Sequence, residues 1–90
     1  MISERKALTT KIEGDDFVIT FDGDTPTLGA AQLLLDGDGR LVGVDLGGEG
    51  FGRVVVMLGP HEAVASQRAA RVSVMNGALR IHGGKGLRAI

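Results

Sequence analysis

The chain has 90 residues, a formal net charge of −1, and 43% apolar against 23% charged residues. That length holds one domain, which buries only about two-thirds of the surface its unfolded form exposes. The absence of Cys excludes a disulfide framework, a thiolate metal site, an iron–sulfur cluster and a Cys nucleophile.

Gly is the outlier, at 15 of 90 residues, and the aromatics are three Phe with no Trp or Tyr. Average usage of Gly is roughly 7%. No apolar run approaches the roughly 20 residues that span a bilayer. Met1 to Lys11 lacks the apolar core of a secretory signal, so a cytoplasmic location is expected. Charge is unevenly spread. Residues 1–45 carry four Lys/Arg and nine Asp/Glu, and residues 46–90 carry six and two. Interleaved strands would average this out; a dipolar surface would dock on itself or on a charged partner.

Period-2 alternation dominates, so strands are expected in chain order. A turn at Gly14-Asp15 pairs Ile12 with Phe17, Thr10 with Ile19 and Leu8 with Phe21. Leu8, Ile12, Phe17, Ile19 and Phe21 then share an apolar face, with Thr9, Lys11, Val18 and Thr20 opposite. Asp22 to Gly29 reads as a polar loop holding Pro26. A hairpin follows from Gln32 to Leu46. Its loop at Asp38-Gly39 pairs Leu35 with Val42 and Leu33 with Val44, and a longer loop over Asp36 to Gly39 would shift that register. Arg53 to Leu58 is a strand whose continuous Val-Val-Val-Met-Leu run predicts burial on both faces.

Pro60 to Arg71 is the one stretch suited to a short helix or irregular arm. Pro60 fits the first helical position, Glu62 the positive end, and Arg68 and Arg71 the negative end. Asn76-Gly77 is a strong hairpin signal, because a type I′ turn needs positive φ at both central residues. It puts Val72, Val74, Leu79 and Ile81 on one face, and Arg71, Ser73, Arg80 and His82 on the other. The expected fold is a small, mainly antiparallel β-barrel or sandwich of six to seven strands over residues 1–82. Residues 83–90 read as a flexible, Gly-rich basic tail.

Several motifs invite chemistry. Leu33-Leu34-Leu35-Asp36-Gly37-Asp38-Gly39 resembles the first motif of haloacid-dehalogenase phosphohydrolases, whose paired Asp serve as nucleophile and acid/base. Arg40 stands where that family usually has Thr, and 90 residues cannot hold its α/β fold, so a hairpin turn is expected. An EF-hand starting at Asp36 fails at Leu41 and Gly47, and one starting at Asp22 fails at Thr27 and Leu33. Asp22, Asp24, Asp36 and Asp38 would meet a cation only by sharing one rim. Gly47 to Gly52 is followed by a strand rather than a phosphate-binding helix. Gly83-Gly84-Lys85-Gly86 lacks the spacing and Ser/Thr of a Walker motif.

Val44-Asp45-Leu46-Gly47-Gly48-Glu49-Gly50 resembles the second signature of PilZ domains, small barrels that bind cyclic di-GMP, through Asp45, Gly47 and Gly50. The resemblance implies a sensor for a small anionic ligand such as a nucleotide. The family's upstream pair of Arg four apart is missing, since Arg5 is followed by Thr9. The hairpin Asp36 to Leu46 is similar to those of PRC-barrel domains and of small bacterial domains of unknown function, which implies a β-module and points to no particular activity.

No catalytic constellation, metal set or cofactor motif survives this reading. A non-enzymatic module is expected, acting through self-association or an acidic protein partner. The contact residues would be the basic set Arg68, Arg71, Arg80, His82, Lys85 and Arg88. Small-anion sensing is the alternative. Nucleic-acid binding through the basic half comes next, weakened by the lack of aromatics on which bases stack.

Overall fold

A computed structural model describes residues 2–22, 30–47 and 53–90. Seven strands form a closed barrel in the order β1-β2-β7-β6-β3-β4-β5. They are β1 (Ile2–Glu13), β2 (Asp16–Phe21), β3 (Ala30–Leu35), β4 (Leu41–Gly47), β5 (Arg53–Met57), β6 (Ser66–Met75) and β7 (Ala78–Ile81). Every pairing is antiparallel except β1 with β5, which runs parallel from Ile2–Arg53 to Lys6–Met57 and closes the ring. The small β-barrel expected from alternation is therefore what the chain forms, with two three-residue 3-10 turns as its only helical pieces among the described residues.

Two strands each serve two neighbours. The first half of β1 pairs with β5 and the second half with β2. The first half of β6 pairs with β3 and the second with β7. These long strands carry the sheet round its corners.

The β6–β7 hairpin has the register its turn dictates, with Val72 opposite Ile81 and Val74 opposite Leu79. Asn76 (φ 52) and Gly77 (φ 75) both adopt positive φ, as a type I′ turn requires. In the N-terminal hairpin only Gly14 is positive, at φ 62, which is the type II′ pattern. Its register holds from Glu13–Asp16 to Thr9–Thr20 and then shifts at a bulge, so Ala7 rather than Leu8 faces Phe21. Leu8 and Ile12 do not join the core; they are 64% and 57% exposed.

In the β3–β4 hairpin Leu33 faces Val44 as expected. A bulge then sets Leu35 opposite Leu41 instead of Val42. Val42 turns outward into a second cluster with Leu34, Val55 and Met57, beneath Ala63 and Val64. The main core lies inside the barrel around Ile19, Leu33, Val44, Val56 and Leu79. Val55, Val56 and Met57 are thus buried on both faces, as their continuous apolar run predicts.

The expected short helix or arm over Pro60–Arg71 is only a 3-10 turn at His61–Ala63. From Ser66 the chain is already β6, laid against β3. With Val64 as its one large apolar residue the segment lacks the stripe a helix would bury. The strand alternative instead puts Ala70 against the core. The terminal residues 83–90, read from sequence as a flexible tail, are placed across one end of the barrel. Gly84 is buried, and Leu87 and Ala89 pack on the core. Arg88 O accepts from Leu41 N–H at 2.7 Å, and Ile90 N–H donates to Leu41 O at 3.0 Å.

The polar loop from Gly23 to Gly29, with Asp24 and Pro26, and the glycine-rich stretch from Gly48 to Gly52 lie outside the described residues.

Candidate functional site

Among the described residues, the two strands that change neighbours leave half-strands with one open side. Beyond Arg71 the β7 chain departs toward the C-terminal segment, and a cleft of about 530 Å³ opens there. Leu33, Ile81 and Leu87 form its apolar lining, and Arg68, Arg71, His82 and Arg88 its polar lining. His82 N–H donates to Arg71 O at 3.0 Å, so Arg71 turns its main-chain groups toward β7. Strand alternation then turns those of Ala69 and Gln67 the same way, into the space β7 has left.

Four of the six residues singled out from sequence, Arg68, Arg71, His82 and Arg88, meet at this cleft. No acidic residue among the described residues lines it. The guanidiniums of Arg68, Arg71 and Arg88 form no ion pair or side-chain hydrogen bond among the described residues. Arg68 points to the barrel's inner side, opposite Leu33; Arg71 sits on the outer lip, beside His82.

The remaining two are neutralised elsewhere. Arg80 donates to Asp16 at 3.0 Å and to Glu13 at 2.7 Å, and Lys85 pairs with Asp15 at 3.2 Å. The Arg80 hydrogen bond, then that from Lys11, holds Glu13 below the usual carboxylate range. The Gly83 N–H, then Arg80, does the same for Asp16. Those carboxylates in turn push Arg80 up, Glu13 first.

Sequence reading missed one constellation. Ser73 Oγ and His82 Nε2 share a 2.7 Å hydrogen bond, and His82 Nδ1 lies 3.9 Å from Asp16 Oδ2. The residue types are those of a nucleophilic triad, and the chosen hairpin register already placed Ser73 and His82 on one face. The geometry does not supply the chemistry. At 3.9 Å the Asp cannot orient the imidazole by a hydrogen bond. Its two oxygens already accept from Gly83 N–H and from Arg80.

Asp36, the candidate nucleophile of the phosphohydrolase-like motif, works as a loop staple. Oδ1 accepts from Asp38 N–H at 2.9 Å and Arg40 N–H at 2.8 Å, and Oδ2 accepts from Arg40 Nε at 2.9 Å. These bonds, the Arg40 backbone N–H first, hold its pKa down. Asp45 and Gly47, from the PilZ-like stretch, build a bulge. Asp45 Oδ1 accepts from Gly47 N–H at 2.9 Å, Gly47 takes φ 69, and the β4–β5 register shifts between them. Gly50 lies outside the described residues. No group of three or more His, Asp or Glu among the described residues is arranged to hold a metal ion. No helix among them is long and apolar enough to cross a membrane.

No protein-family model, curated protein or solved structure matches the chain.

Proposed function

We propose that this barrel is a non-enzymatic binding module that captures an acidic segment of a partner protein in the cleft between β6 and the C-terminal segment. The observation that carries this reading is the convergence of Arg68, Arg71 and Arg88 on one opening with no acidic residue among the described residues that line it. Guanidiniums left unpaired at an opening suit carboxylates, which they bind through paired N–H groups. The open side of β6 adds main-chain donors and acceptors, so an extended peptide can lie there as an added strand. This favours a peptide over a small anion, which would use the charges alone.

Nucleic acid is disfavoured by the same surface. Two of the three Phe, Phe17 and Phe21, are buried, and stacking platforms need exposed rings.

The test is a fluorescence titration with a labelled octapeptide alternating Glu and Val. The expected result is saturable binding that weakens with salt. In Arg68→Glu/Arg71→Glu it should weaken tenfold or more, about 1.4 kcal/mol, while Arg80→Ala leaves it unchanged. Failure of the peptide to bind, alongside saturable binding of a nucleotide, would move the assignment to small-anion sensing. Equal loss in Arg80→Ala would place the contact on another face.

A further inference from the structure

Among the described residues, the second half of β1 has an open side of its own, away from Arg68, Arg71 and Arg88. In a two-residue hairpin the closing pair, here Glu13 and Asp16, exchanges both main-chain hydrogen bonds. Glu13, Lys11 and Thr9 therefore turn their N–H and C=O groups toward β2. Thr10 and Ile12 turn theirs away from it, where no strand among the described residues pairs with them. The same stretch exposes Leu8 and Ile12. It carries no Pro, and an edge of this kind is a template for another strand.

We infer that the open side of β1 is a self-pairing edge, at which a second copy of this chain adds its own β1 antiparallel about a two-fold axis at Lys11. The occupant follows from the strand's own pattern. A two-fold contact brings a patch onto itself, so the patch must complement itself. With Lys11 on the axis, Thr10 lies opposite Ile12 of the second copy, and Ile12 opposite its Thr10. All the unused main-chain groups of these residues then find partners. On the outer side Lys11 already pairs with Glu13 of its own chain at 3.1 Å. Glu13 of the second copy falls diagonally beside it, within the reach of cross-strand diagonal pairs. The two Lys11 face each other on the axis, and each is flanked by its own Glu13 and, diagonally, by the second copy's, which offsets the like-charge pair. Each Glu13 also keeps Arg80 of its own chain at 2.7 Å, and Arg80 in turn holds Asp16, so the seam carries no net charge. On the other side each Ile12 gains the second copy's Ile12 and Leu8 as diagonal neighbours. This contact is independent of the acidic-segment reading, because it uses none of the cleft residues.

The experiment is mass by light scattering from micromolar to millimolar concentration, on the whole chain. A mass that doubles as concentration rises is expected. Thr10→Pro should hold the mass at that of one chain with the strand spectrum unchanged. The missing N–H faces away from β2, and Pro is tolerated on sheet edges. Glu13→Lys, which puts four like charges on the seam, should also give a single chain, and Lys11→Glu/Glu13→Lys should restore doubling. If Thr10→Pro unfolds, this charge series decides alone. Arg68→Glu/Arg71→Glu should still double. A single-chain mass for the unaltered protein at millimolar concentration overturns the inference. So does doubling that survives both Thr10→Pro and Glu13→Lys, or that is lost only in the Arg variant.

Discussion

The β6–β7 hairpin and the second half of β1 begin from the same instructions and end differently. Both lie beside two-residue turns, and both alternate apolar with polar residues. Val72, Leu79 and Ile81 are nonetheless buried inside the barrel, while Ile12 stands 57% exposed. The difference is the neighbour on the far side. β7 lies between β2 and β6, and the second half of β1 has β2 as its one neighbour among the described residues. Alternation states which face a residue is on; burial also needs something to cover that face. The first half of β6 repeats the lesson, and there the uncovered inner side carries Arg68.

The comparison breaks most sharply at Leu79, which is fully buried. Leu79→Ala should cost about 2–5 kcal/mol in a denaturant melt. Should it cost no more than an exposed site, the two regions are not distinct. Gly43→Ala comes next. A Cβ there would meet Val56 O at 2.8 Å and Met57 Sδ at 2.7 Å, and the backbone oxygen cannot step aside cheaply. About 1–3 kcal/mol of destabilisation is expected. Gly77→Ala forces a side chain onto φ 75 and should lose about 1–2 kcal/mol, read as a lowered Tm.

Acid sharpens the comparison within the loops. Asp36, Asp16 and Glu13 all titrate below their ordinary range in the fold. Each therefore stabilises the barrel only when ionised. That contribution is complete above the usual carboxylate range and is lost as pH falls through it to the lower folded-state values. Tm should drop on acidification, and Asp36→Asn should flatten that dependence while lowering Tm at neutral pH. The smallest effect is expected at Ile12. At micromolar concentration Ile12→Ala should stay within about 0.5 kcal/mol of the parent.

Much of the fold was legible where local chemistry and face pattern agreed. Asn76-Gly77 set the β6–β7 register, and the Val54–Leu58 run announced a strand covered on both sides. Bulges were not legible. A single extra residue at Leu8, or near Leu35, moves the pairing without altering the alternation that a reader sees. The strand at Ser66–Arg71 was missed because its Ala-rich stretch owes its conformation to β3 alongside it. The six basic residues were singled out by charge alone. Charge could not separate Arg80 and Lys85, which have acidic partners, from Arg68, Arg71 and Arg88, which have none among the described residues. That separation depends on Glu13, Asp15 and Asp16, remote in sequence and adjacent in space. The hairpin register put Ser73 and His82 on one face, but the bond between them was missed because Ser73 stands opposite Arg80 and meets His82 only diagonally.

The parallel seam between β1 and β5 also governs how the chain reaches its fold. Three hairpins form from near neighbours and can appear within microseconds. Ile2 must wait for Arg53, and Leu41 for Arg88 and Ala89. Ring closure is therefore the late event, made against the loop entropy of long intervening chain. Until it happens the apolar inner face of the unclosed sheet stands open to collision with other chains. Refolding on the millisecond-to-second scale, slowed by variants at Val55 or Val56 more than by variants at Asn76, is the kinetic signature that this seam implies.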